Sequence, residues 1–203
     1  FNEGLASVEK DGKWGFVDKA GKIVVECTYD MVTEINEYGF AGIKKDGKWA
    51  LIDINEKAIT KYAYEDIKLD EYETCINNGI IFAKENGRYY MLDEKGSKIC
   101  KDGYEDAYPF MGSEPAAVCI DKKWGFVDSV GKIVIKPQYT EAKSFSNGLA
   151  PVSTDGMWGY INTDNVYRID SKFTDCLPFS TNGIAAVKEN DVWNYIKLLA
   201  YYE

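Results

Sequence analysis

The 203-residue sequence contains no histidine. That removes Ser-His-Asp and Cys-His nucleophiles and the usual zinc enzyme sites, all of which rely on an imidazole as base or ligand. Neither a Gly-x-Ser-x-Gly elbow nor a phosphate-binding glycine loop is present. Positive charge is also scarce: 24 Lys+Arg against 33 Asp+Glu leave a net charge of −9. No local basic cluster offsets it, so the chain repels phosphate, and nucleic acid and anionic membrane are excluded as expected partners. No apolar run reaches the ~20 residues that span a bilayer, and no secretory leader pattern is visible. Proline is limited to 5 residues while glycine reaches 18, which favours strands joined by tight turns. The five cysteines, Cys27, Cys75, Cys100, Cys119 and Cys176, are odd in number and irregularly spaced, with no Cys-x-x-Cys pair. They form neither a disulfide framework nor a zinc site and are expected as small, free, half-buried thiols. No cofactor and no metal is expected.

What the sequence does have is a repeat. Its five tryptophans are Trp14, Trp49, Trp124, Trp158 and Trp193, with intervals of 35, 34 and 35 inside the first pair and the last three. Between Trp49 and Trp124 one more unit fits, with Tyr89 in the tryptophan's place. Gly4, Gly39, Gly79, Gly148 and Gly183 each lie ten residues before an anchor, Glu114 being the exception. Tyr29, Tyr64, Tyr104, Tyr139 and Phe173 each lie fifteen after one. Length varies only between that aromatic and the next glycine position, where the intervals are 10, 15, 10, 9 and 10. Each unit is therefore a rigid body with one tolerant connector, the longest around residues 70–77.

Within the body the period is two, as in a strand. Ala6 and Val8 share a face, and the pairs Ala41/Ile43, Ala116/Val118, Ala150/Val152 and Ala185/Val187 repeat this. Trp14 and Phe16 share a face of the second strand, with Gly15 and Val17 on the other. Apolar residues on both faces imply strands covered on both sides. Asp11-Gly12, Asp46-Gly47, Asn86-Gly87 and Asp155-Gly156 fall between the two strands and suit type I′ hairpins, in which both central residues take positive φ. Asp121-Lys122 and Asn190-Asp191 are weaker versions. After the second strand, Asp18/Gly21, Asp93/Gly96, Asp128/Gly131 and Asn162/Asn165 mark a further turn, followed by a third strand such as Ile133-Val134-Ile135. A short fourth strand is placed near Phe145.

The stretch Trp124-Gly125-Phe126-Val127-Asp128, followed by Gly131-Lys132-Ile133-Val134-Ile135-Lys136-Pro137-Gln138-Tyr139, resembles the bacterial WG-containing repeat family. Trp14 to Val25 is nearly as similar, and the likeness extends over almost the whole chain. It is degraded where Ala50 follows Trp49, where Tyr89-Tyr90 replaces Trp-Gly and where Asn194 follows Trp193. The resemblance implies repeated β structure and transfers no catalytic residue.

The expected fold is all-β: about six tandem units of about 35 residues, each of three short antiparallel strands. The units run over 1–35, 36–75, 76–110, 111–145, 146–179 and 180–203 of a single array, the last incomplete. An open, twisted, solenoid-like array is expected, with a β-propeller as the alternative. Trp14, Trp49, Tyr89, Trp124, Trp158 and Trp193 are read as packing anchors, Trp14, Trp124 and Trp158 specifically as core. The neighbouring glycine opens a slot for another backbone or ring. The recurring Asp18, Asp53, Asp93 and Asp128 are read as turn starters rather than as a Ca²⁺ row, because Asn162 serves the same position. Surplus tyrosines, above all Tyr38, Tyr72, Tyr90 and Tyr108, are candidate ligand-surface residues. The expected function is non-catalytic: a scaffold binding protein or peptide partners. A glycan or cell-wall binder is the alternative, and a carboxylate-dependent hydrolase ranks behind both. A cytoplasmic or cell-surface bacterial setting is expected, with self-association through a sheet edge in the last unit.

Overall fold

The computed structural model describes residues 1–70 and 73–198. Among the described residues there are six antiparallel sheets in tandem and no helix. Sheet 1 contains Leu5–Lys10, Lys13–Asp18 and Ile23–Tyr29. Sheet 2 contains Met31–Val32, Phe40–Lys45 and Lys48–Asp53, and sheet 3 contains Asp66–Ile67, Ile80–Glu85 and Arg88–Asp93. Sheet 4 joins Asp106–Ala107, Ala116–Ile120, Lys123–Val127 and Ile133–Tyr139. Sheet 5 joins Glu141–Ala142, Ala150–Thr154, Met157–Ile161 and Tyr167–Phe173. Sheet 6 holds Asp175–Cys176, Ile184–Glu189 and Val192–Lys197. Strands neighbour one another in chain order, and no sheet closes into a barrel. The chain divides into two compact units, Phe1–Tyr104 with sheets 1 to 3 and Glu105–Glu203 with sheets 4 to 6.

All six central hairpins have two-residue loops with positive φ at both residues. The value is 54° at Asp11 and 75° at Gly12, and even Asp121 and Lys122 reach 50° and 60°. This left-handed pair matches the twist of the flanking strands, so the turn sets a continuous register such as Val118↔Gly125 and Cys119↔Trp124.

The fourth strand lies earlier than expected. In sheet 5 it is Glu141–Ala142, which leads the sheet and pairs with the first long strand through Ala142↔Val152. Phe145 itself is fully buried, its ring 4.7 Å from that of Phe126 at 63°.

The third strand also differs from expectation. It is a continuous seven-residue strand in sheets 1, 4 and 5. Sheets 2 and 3 have single bridges in its place, Trp49↔Tyr64 with Ile52↔Ala58, and Tyr89↔Tyr104 with Leu92↔Lys98. Their third strand is made up by the short leading one. In sheet 6 the last described strand is Val192–Lys197, at the edge of the sheet; residues 199–203, where the incomplete third strand is expected to begin, lie outside the described residues.

Within each unit the sheets stack face to face. Phe16, Val25 and Tyr29 of sheet 1 pack on Ile35, Ala41, Ile43 and Ile52 of sheet 2. Trp49 and Leu51 of sheet 2 meet Ile67, Ile81, Ala83 and Leu92 of sheet 3. Phe126, Ile135 and Tyr139 of sheet 4 meet Ala142, Phe145, Ala150 and Val152 of sheet 5. Trp158, Tyr160 and Phe173 of sheet 5 meet Cys176, Phe179, Ala185 and Val187 of sheet 6. One rule describes all four joints: the aromatic face of a sheet lies on the Ala-x-Val type face of the next. Period-two patterning with both faces apolar requires this layering, because each sheet otherwise leaves one face wet.

Candidate binding surface

The glycine of the Trp-Gly pair is placed by the third strand. In sheet 4 the register shifts from Trp124↔Tyr139 to Phe126↔Ile135, so the third strand bulges beside Gly125. A Cβ on Gly125 would lie 2.6 Å from the Ile135 carbonyl oxygen and 2.6 Å from Pro137 N. Gly159 meets the Ile169 carbonyl oxygen at the same 2.6 Å, and Gly15 faces Val25 and Cys27 in the same way. The slot is therefore filled by backbone, not by a ring or a ligand.

The anchors separate by burial. Trp49, Tyr89 and Trp158 are buried, Trp14 and Trp124 are half-buried, and Trp193 is exposed. The expectation of Trp14 and Trp124 as core is corrected here: the deep positions are the aromatics two residues on, Phe16, Phe126 and Tyr160. Several anchor rings carry an ammonium group, with Lys68 Nζ 4.4 Å from the Tyr89 centroid and Lys143 Nζ 5.1 Å from that of Trp158. Both lysines directly follow the short leading strand of their sheet. In sheet 4 that position is Tyr108, which is 40% exposed and lies with its ring 5.4 Å from Trp124 at 42°. Burial raises the Tyr108 hydroxyl pKa, and the carboxylates of Asp106, Glu141 and Asp175 raise it further. Sheet 4 thus presents a paired aromatic surface in a negative field, where sheets 3 and 5 place a lysine of their own.

The other candidate tyrosines are scattered. Tyr38 is exposed, and its hydroxyl pKa is raised by a hydrogen bond to Glu37. Tyr90 is half-buried in the core of sheets 2 and 3, with Lys98 Nζ 3.6 Å from its ring centroid. Tyr72 lies outside the described residues. Tyr62 and Tyr167 are exposed. The partial exposure of Trp124 has no signal in the sequence, since its neighbours on the strand match those of buried anchors.

The recurring carboxylates hold turns. Asp18 Oδ1 accepts from Ala20 N and Lys22 N at 2.9 Å each, and Asp53, Asp93 and Asp128 repeat the pattern. Among the described residues no three metal-ligating side chains cluster. None of the five cysteines is joined in a disulfide; burial pushes Cys75 and Cys176 up to about 11 and raises Cys119 as well. Among the described residues no helix is long and apolar enough to cross a membrane.

The model of the WG containing repeat matches residues 1–14, 14–49, 124–158 and 158–193, more than half of the chain. The chain belongs to this family. Three of the matched segments run from one anchor tryptophan to the next, the other runs from Phe1 to Trp14, and together they contain all three glycines with a bulged strand against them. Among curated proteins, none matches the WG-repeat chain. Among solved structures it is similar to one described as a eukaryotic initiation factor, at 8% identity and a TM-score of 0.60, over 93% of this chain and 58% of that one. It is also similar to Hsv2p of Kluyveromyces lactis, at 11% identity and a TM-score of 0.57, covering 97% of this chain and 71% of the other. The dihydro-heme d1 dehydrogenase NirN is a third, at 12% identity and 0.53, covering 96% and 52%. At these identities the likeness concerns the fold alone.

Proposed function

We propose that this WG-repeat chain is a non-catalytic scaffold that binds a protein partner, and that Tyr108 and Trp124 receive a basic segment of it. The observation that carries this reading is the exposed Tyr108 ring lying against half-buried Trp124 beside Asp106, Glu141 and Asp175, at the position where sheets 3 and 5 use a lysine. Aromatic rings attract ammonium and guanidinium groups through their faces, and nearby carboxylates strengthen that attraction. A net charge of −9 steers basic partners over longer range. The turn-holding role of the recurring carboxylates supports a structural over a hydrolytic use of them. Glycan binding through the exposed tyrosines is the second reading, favoured by Tyr108 stacked and open to solvent.

Titration with Lys/Arg-rich peptides, followed by NMR, is expected to shift the Trp124 indole resonance, and Tyr108→Ala to weaken binding about tenfold. Acidic peptides are expected to be silent. If oligosaccharides move the Trp124 signal and basic peptides do not, the protein-partner reading fails and the glycan reading replaces it.

A further inference from the structure

The last sheet breaks the stacking rule. Trp193 and Tyr195 occupy the positions of Trp158 and Tyr160, yet Trp193 is 48% and Tyr195 82% exposed, against 6% and 0% for their counterparts. Ile184 on the same face is exposed too. At the four joints described above, the corresponding face is covered by the Ala-x-Val face of the following sheet, with an apolar residue such as Phe145 or Phe179 seated beside it. The complementary half of such a joint is open on sheet 1. There Ala6, Val8 and Val17 are only half-buried on the side away from sheet 2. Phe1, in phase with Phe145, is 69% exposed where Phe145 is fully buried.

We propose that sheet 6 of one copy stacks on sheet 1 of a second copy, extending the joint between sheets 5 and 6 into a head-to-tail assembly. Trp193 and Tyr195 supply the aromatic side; Phe1, Ala6, Val8 and Val17 supply the receiving side. The interface joins two different surfaces, so each copy keeps one unused half and can add another. Its chemistry is that of the internal joints, apolar and face to face, and differs from strand pairing at an edge. Repulsion between copies of charge −9 opposes it, so added salt strengthens the association.

Sedimentation velocity on the whole chain, from micromolar to several hundred micromolar, is expected to show mass rising with concentration and rising further with salt. Tyr195→Glu and Val8→Glu, each checked for an unchanged circular dichroism spectrum, are expected to weaken self-association at least tenfold when alone. Mixed in equal amounts, they are expected to form a one-to-one dimer that grows no further, because one good face survives on each. A wild-type chain that stays monomeric throughout overturns the proposal. So does a mixture in which the two variants fail to combine, since that outcome belongs to an interface made of the same surface twice.

Discussion

Sheets 1, 4 and 5 carry glycine after the anchor and a bulged seven-residue third strand; sheets 2 and 3 carry Ala50 and Tyr90 there and have no such strand. The anchor hydrogen bonds survive the change, with Trp49 N donating to the Tyr64 carbonyl at 2.8 Å and Tyr89 N to that of Tyr104 at 2.9 Å. What is lost is the close crossing between them. In sheet 3 the small residue has moved to the facing segment: a Cβ on Gly103 would lie 3.0 Å from Tyr90 Cζ. In sheet 2 the residue at that facing position is Ala63. Thr60 also compensates, its Oγ1 accepting from Leu51 N at 3.0 Å in place of a ladder bond. The motif is therefore a contract between two segments. Either the second strand gives up its side chain and the third runs over it, or the second keeps a side chain and the third does not form.

The largest test of that contrast exchanges the two arrangements. Gly125→Ala drives a Cβ into backbone on the bulged strand, which cannot rotate away as a side chain would. It is expected to cost about 3 kcal/mol, at the upper end for overpacking. Ala50→Gly introduces no clash and is expected to cost about 1 kcal/mol, the usual backbone effect. Urea titration of both variants measures the difference, and equal losses would remove the crossing as the reason for glycine.

Much of this could be read from the amino acids and some could not. The anchor spacing and the Asp-Gly dipeptides fixed the hairpins, since positive φ at adjacent residues has few sequence solutions, and the structure has it at Gly12, Gly47, Gly87 and Gly156. The third strand is expected in every full unit because the aromatic fifteen residues after the first five anchors never moves. That aromatic is held by its own bond to the anchor whether or not a strand precedes it. Two-residue strands such as Glu141–Ala142 have no period to detect. The surface at Tyr108 and Trp124 depends on which residue follows such a strand, and so stayed hidden, while Tyr90, singled out as a surface tyrosine, fills the space opposite Gly103.

A smaller effect asks whether the missing strand leaves the core less sealed. Cys75 lies in the core of sheets 2 and 3, and Cys176 in that of sheets 5 and 6. Burial pushes both thiols up to about 11 from the ordinary 9.0. A folded value above the unfolded one means that each thiol's contribution is complete below pH 9 and is lost as pH rises toward about 11, because the unfolded chain releases its proton first. The slope reaches about 1.4 kcal/mol per pH unit for each group. Cys75→Ala and Cys176→Ala are expected to remove similar shares of the alkaline loss. A share much smaller for Cys75 would show that the third strand, and not the stacking of faces, keeps water out.

The smallest effect concerns the joint itself, which ought to be the same in both classes. The turn after the second strand holds glycine in sheets 1, 3 and 4, but Glu56 in sheet 2 and Asn165 in sheet 5, with φ of 60° and 63°. Left-handed backbone is unfavourable for a residue with a side chain, by roughly 1 kcal/mol. Both side chains have an offsetting use. The Tyr29 hydroxyl of sheet 1 donates to Glu56 at 2.7 Å, and the Tyr139 hydroxyl of sheet 4 donates to Asn165 at 2.6 Å, each bridging to the following sheet. A hydrogen bond of this kind contributes about 1 kcal/mol net. Glu56→Gly and Asn165→Gly are therefore expected to change stability little, relief of strain cancelling loss of the bond. The informative quantity is the coupling with Tyr29→Phe and Tyr139→Phe, expected near 1 kcal/mol in each double-mutant cycle. Sheet 2 lacks the bulged strand and sheet 5 has it, so equal coupling would show that neighbouring sheets are tied together independently of the Trp-Gly crossing. Strictly additive cycles would mean that the hydroxyls do no bridging, and the residues at 56 and 165 would then have no account for their strain.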